Sequence, residues 1–194
     1  MGEGLGIIRT GELEAARALD GARQFFTRAF DYGFSKSADE AFAHWPKEEV
    51  LRDVVSVIRT YRPQVIISVW AGTPRDGHGQ HQASGILANE AFEAAADPGR
   101  FRDLPGLAAE PWGVSKLYHS ARFRGPGSGA APLTIQTGTF DPLLGRSYYQ
   151  LAMESRSQHR SQEMGTAQAL GDRTSGLQLV QSRVGEINSD TGIF

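Results

Sequence analysis

The stretch TPRDGHGQHQASG, residues 73–85, sets His78 and His81 three positions apart in a glycine-rich loop with Asp76 just before them. One turn of helix would bring both imidazoles to one side. Neutral imidazole is the usual nitrogen ligand of zinc, and three protein ligands plus a water make a catalytic site. Asp76 could ligate a metal, or orient an imidazole through its second ring nitrogen. The sequence has no cysteine, so any metal site must draw on His, Asp or Glu, and thiolate nucleophiles and disulfides are excluded. An ordinary flexible turn with two chance histidines is the competing reading of the same residues.

The other histidines form no second cluster. His44 reads as a surface residue before a helix, His119 as a strand residue with room in a core, and His159 as a cation at a helix end. Other chemistries have weaker signals. There is no G-x-S-x-G elbow and no Walker loop, and GPGSGAAP (125–132) reads as a surface linker.

The surrounding pattern is that of an α/β domain. TGELEAARALDG predicts a helix with Leu13, Ala16 and Leu19 on one face, Thr10 as its cap and Gly21 as its stop. The aromatic-rich QFFTRAFDYGFSKSADEAF should pack partly over a core or pocket. PKEEVLRDVVSVIRTYRP is the clearest helix, with Pro46 at its first position and Val50, Leu51, Val54, Val57 and Ile58 as its stripe. QVIISVW (64–70) follows as a nearly continuous apolar run, the kind buried on both faces of a parallel sheet. The histidine loop then leads into a helix ending near Pro98. Later runs predict strands at 116–123 and 132–140, a helix within 142–159 and a last strand at 177–183. In open α/β sheets, sites form beyond the carboxyl ends of strands, which is where the histidine loop lies.

Composition bounds the rest. The 194 residues suit one domain, and 40% hydrophobic with 22% charged residues is a globular balance. A net charge of -2 gives no global reason to expect nucleic acid as a partner. No apolar run approaches the ~20 residues needed to span a bilayer. The N-terminal MGEGLGIIRTGELEA lacks the basic-then-apolar layout of a signal peptide, and localisation stays open between cytoplasm and secretion. The domain reads as residues 1–184, with 185–194 as a polar tail.

Three separated segments resemble the PIG-L/LmbE-like de-N-acetylases, in order along the chain. PQVIISVWAGTPRDGHGQHQASGILANEAFEAA is similar to the family's strand, H-x-x-H loop and helix. IIRTGELEAARALDGARQFFTRAFDYGFSKS resembles its R-x-x-E-L helix and the following Asp-containing loop. FDPLLGRSYYQLAMESRSQHRSQ resembles its late H-x-S-Q helix, with His159 at the histidine position. The resemblance implies a Rossmann-like fold with a mostly parallel sheet and flanking helices. It also implies zinc-dependent hydrolysis of the N-acetyl amide of an N-acetylglucosamine-type conjugate. In these terms His81 is the metal ligand and His78 the catalytic histidine that stabilises the oxyanion or assists proton transfer. Arg9 and Asp31 would contact the substrate, and Asp76 would support the ligand from behind.

One departure weighs against full activity. The family's AHPDDE motif, which supplies a His and an Asp ligand and the Asp base, occurs nowhere in these 194 residues. It would precede the R-x-x-E-L helix, so the expectation is a truncated member, lacking its first strand and impaired in catalysis. A smaller departure is Gln80, where family members carry Asp. The alternative reading is a non-catalytic sugar-binding module on the same fold.

Overall fold

The computed structural model describes residues 3–121 and 133–185. Two compact units emerge: Met1–Phe26 with Ile135–Ser175, and Thr27–Thr134 with Gly176–Phe194. The 125–132 linker, the last two residues of the 116–123 strand and residues 186–194 of the tail lie outside the described residues.

The first unit pairs two helices. α1 runs Glu3–Asp20 and stops at Gly21, whose φ of 71° is a left-handed conformation that glycine adopts without a side-chain penalty. Thr10 is not its cap. The helix already runs from Glu3, about two turns earlier, and the Thr10 hydroxyl donates back to the Gly6 carbonyl at 2.9 Å. α5 (Tyr148–Arg156) is shorter than the 142–159 reading, because Asp141 and Gly145 first form a turn between the two-residue strands β4 (Phe140–Asp141) and β5 (Arg146–Ser147). Ser147 caps α5 through a reciprocal box with Gln150, at 3.2 and 3.0 Å. Ser155 of α5 is buried and bonded to Arg17 (3.2 Å) and to the fully buried Ala16 (carbonyl, 3.5 Å) of α1.

The second unit holds the larger core. α2 (Ala38–His44) leads into α3 (Lys47–Tyr61), where Pro46 sits at the N-cap and not inside the first turn. The buried stripe of α3 is Val50, Leu51, Val55 and Ile58; Val54 is only partly covered. It packs on Leu87, Ala91, Phe92 and Ala95 of α4 (Gly79–Ala96), with Leu104, Ala108, Val114 and Leu117 closing the cluster.

The sheet runs β1-β2-β6-β3, with β1 at Val65–Ser68, β2 at Lys116–Ser120, β3 at Leu133–Gln136 and β6 at Thr174–Ser182. β1 and β2 are parallel and joined through α4, a β-α-β crossover. β6 runs antiparallel to β2, so the sheet is mixed, correcting the mostly parallel expectation. β1 is an edge strand of this sheet, and Ile67 and the following Val69 are half exposed. The apolar run 64–70 is therefore not buried on both faces. The aromatic segment packs in part, as expected: Ala29 and Phe42 lie against the core and Tyr32 stacks on His44 and meets Trp45 edge-on, while Phe25, Phe26, Phe30 and Phe34 are exposed.

Candidate active site

Both loop histidines lie at the start of α4, directly beyond β1. His78 is the N-cap residue and His81 stands in the first turn, so the spacing of three places their rings against each other, with centroids 3.7 Å apart. Two glycines permit this. Gly77 bends the chain at φ 92°, and Gly79 presses so closely on Ser35 and Ser37 that a Cβ would collide with the Ser37 carbonyl.

His81 is held on three sides. Its ring stacks on Trp70 at 3.6 Å with planes 13° apart, and His78 covers part of the other surroundings. Its Nδ1 lies 3.0 Å from the Asp76 backbone carbonyl. A carbonyl only accepts, so Nδ1 carries the proton and Nε2 presents a lone pair. Burial holds this imidazole below the ordinary histidine range, and the neighbouring His78 adds to that; the Asp76 carbonyl opposes it. Burial and His78 both favour the neutral ring, in which Nε2 is bare.

The Asp76 carboxylate has a different task from the one its sequence position suggested. It is buried and accepts from three backbone N–H groups, those of Ala71 (3.2 Å), Gly72 and Thr73 (2.7 Å each). It folds the loop around itself, and its main chain, not its side chain, orients His81.

Gln80 supports His78 and not His81. Its amide nitrogen donates to the Gly33 carbonyl, which turns its oxygen towards His78 Nδ1 at 3.0 Å and lets it accept from Ser35 Oγ at 2.8 Å. His78 Nδ1 therefore donates to Gln80, which leaves Nε2 as the acceptor of the neutral ring. A glutamine orients the ring without the charge an aspartate would add. Phe34, largely exposed, meets His78 edge-on at 5.7 Å.

Asp31 is exposed, and its Oδ1 accepts from the Gly33 N–H at 3.0 Å. It connects to the histidines through Gly33 and Gln80. Arg9 belongs to α1, in the other compact unit. His159 is also in that unit, beyond the end of α5, where Ser161 donates to Glu12 through its backbone (2.6 Å) and hydroxyl (2.8 Å). His44 is exposed at the end of α2.

Some participants had no sequence motif to announce them. Trp70 was only the end of an apolar run. His119, at the carboxyl end of β2, meets Asn89 Oδ1 at 2.9 Å, and burial lowers its pKa. Their common signal is position, since both stand where parallel strands end.

A zinc bound by two imidazoles at tetrahedral angles holds their ring centroids about 5 Å apart, given Zn–N near 2.0 Å. At 3.7 Å the two rings cannot share one ion in this arrangement. The donor set fits one ligand, His81, with His78 beside it. Among the described residues no group of three or more His, Asp or Glu side chains converges to hold a metal. A cavity of about 520 Å³ opens elsewhere, beside α3, α4 and β6, where its lining Glu90 and Glu93 are paired with Lys47 and Arg183.

Residues 1–92 match the family model described as PIG-L, GlcNAc-PI de-N-acetylase. The chain is 32% identical over 129 residues to the 1D-myo-inositol 2-acetamido-2-deoxy-alpha-D-glucopyranoside deacetylase of Thermobispora bispora, covering 62% of this chain and 40% of that protein. It is 33% identical over 125 residues to deacetylase 2 of the same description from Saccharopolyspora erythraea, covering 60% and 44%. The Geodermatophilus obscurus deacetylase is 36% identical over 123 residues, covering 59% and 40%. The chain thus spans less than half the length of these curated relatives. The matched region contains Arg9, Asp31, Asp76, His78 and His81, and over residues 1–92 this chain carries a PIG-L family domain.

Proposed function

We propose that this chain supplies the second-histidine half of a metal-dependent de-N-acetylase site, acting on the N-acetyl amide of a glucosamine conjugate. The observation that carries the reading is the His81 tautomer. A backbone carbonyl holds Nδ1–H, Trp70 fixes the ring plane, and Nε2 is left with a lone pair at a strand end. The named activity of the relatives, deacetylation of a GlcNAc-inositol, supports the substrate class.

A divalent ion such as zinc, when bound, would polarise the amide carbonyl and acidify a water. His81 Nε2 would be its ligand from this half. His78 Nε2, an acceptor in the neutral ring, can take a proton and then donate a hydrogen bond to an oxygen that gains charge as the amide is attacked. Gln80 keeps that nitrogen facing outward by holding Nδ1. Asp31, in the same unit as the histidines, is the proposed sugar contact. The Asp76 carboxylate, which accepts from three backbone amides, is assigned no proton-transfer role.

Full ligand sets bind zinc with about 10–16 kcal/mol. One oriented imidazole should bind far more weakly, with Kd above about 1 μM. The test is zinc titration of the purified 194-residue chain, with acetate release from a GlcNAc-inositol measured alongside. Weak zinc binding that His81→Ala removes, with little or no acetate release, is expected. Tight stoichiometric zinc with rapid turnover would overturn the half-site. Glycan binding insensitive to both zinc and His81→Ala would instead favour a sugar-binding module.

A further inference from the structure

We infer that Asn89 and His119 are a positioning pair that fixes the orientation and tautomer of His81 from more than one residue away. The inference rests on the reading of His81 as the metal ligand, and it assigns a role to two residues outside the H-x-x-H loop.

The segment 71–76 lies along α4 and is fastened to it at both ends. At one end the Asn89 side-chain nitrogen donates to the Ala71 carbonyl at 3.0 Å. At the other, His81 Nδ1–H donates to the Asp76 carbonyl at 3.0 Å. Between them Gly85 of α4 meets Gly72 so closely that a Cβ would collide with the Gly72 backbone. The segment itself is closed by the Asp76 carboxylate on the amides of Ala71, Gly72 and Thr73. It is therefore a rigid spacer, and where Ala71 is held decides where the Asp76 carbonyl points.

Asn89 is in turn held by β2. Since its nitrogen is committed to Ala71, its oxygen must accept, and the His119 Nε2 at 2.9 Å must carry the proton. The Gln181 side chain donates to the Asn89 backbone carbonyl at 3.4 Å from the neighbouring strand β6. A continuous path then runs from His119 through Asn89, Ala71 and Asp76 to His81, in which every donor and acceptor is assigned by its partner. Each link is within hydrogen-bond reach, and two of the chain's five histidines stand at its ends. Loosening the Asn89 end lets the Asp76 carbonyl swing away, and the His81 proton is then no longer confined to Nδ1.

Long-range ¹H–¹⁵N spectra of the imidazoles in the full chain read this without metal. Wild type should show His81 protonated on Nδ1 alone. In Asn89→Ala and His119→Leu a measurable share of the Nε2–H form should appear, with zinc affinity about three- to tenfold lower, at the weak end of effects seen for residues behind a ligand. His119→Gln, which restores a donor towards Asn89, should retain the wild-type tautomer, and this comparison stands even if Asn89→Ala does not fold. Folded Asn89→Ala or His119→Leu protein with the wild-type His81 tautomer would overturn the positioning role. Because the tautomer is read without zinc, failure of the metal assignment would leave this outcome intact and separately visible.

Discussion

At the residue scale, the site is defined by which nitrogen carries each proton. His81 and His78 both offer Nε2, one oriented by a backbone carbonyl and one by Gln80. Burial lowers the pKa of both His81 and His119, so the folded state keeps them neutral where the unfolded chain would protonate them. Unfolded protein then binds more protons below its own histidine range. The stability these groups contribute is fully present above about pH 6.5 and is lost as pH falls from there towards the folded values. Urea midpoints should therefore be flat from pH 8 to 6.5 and decline below it, with a shallower decline in His119→Gln. An equal decline in that variant would remove His119 from the account.

At the element scale, α4 is the organising piece, with the histidines at one end and a buried arginine at the other. Arg59 of α3 is fully buried and donates to six backbone carbonyls, among them Ala94 (3.2 Å), Ala95 (3.0 Å) and Asp97 (2.8 Å) at the end of α4. These are carbonyls that a helix terminus leaves without partners. Arg59→Met keeps the volume and abandons all six, so it should cost about 3–5 kcal/mol of stability in urea denaturation. A cost under about 1 kcal/mol would contradict the capping role. α3 and α4 were legible from sequence because their apolar spacing and flanking prolines are local signals. The half-exposed β1 and the antiparallel β6 were not, since strand order and direction depend on pairings distant in sequence. The site shows the same division. The His78–His81 spacing is a local fact, but Trp70, Gln80 and Asn89 acquire their roles only when the 71–76 segment folds onto α4. The sequence position of Asp76 suggested a carboxylate acting on a histidine, whereas three amide N–H groups claim that carboxylate first.

At the scale of the whole molecule, the PIG-L match ends at residue 92, inside α4, and includes every candidate from Arg9 to Asn89 while leaving out His119. The aligned stretch covers 40% and 44% of two of the deacetylases it matches, so activity on a GlcNAc conjugate is a proposal for the chain and a named property of those relatives. What the chain itself offers is one imidazole whose Nδ1–H is held by its own backbone, the group proposed above as the metal ligand. The most direct test is to follow the His81 ring nitrogens in the 194-residue chain as zinc is added. The account predicts a proton on Nδ1 throughout and a zinc-dependent shift confined to Nε2 of His81, lost when Asp76 can no longer hold the ring. A proton found on His81 Nε2 in the free protein, or zinc that moves other histidines and leaves His81 unchanged, would contradict it.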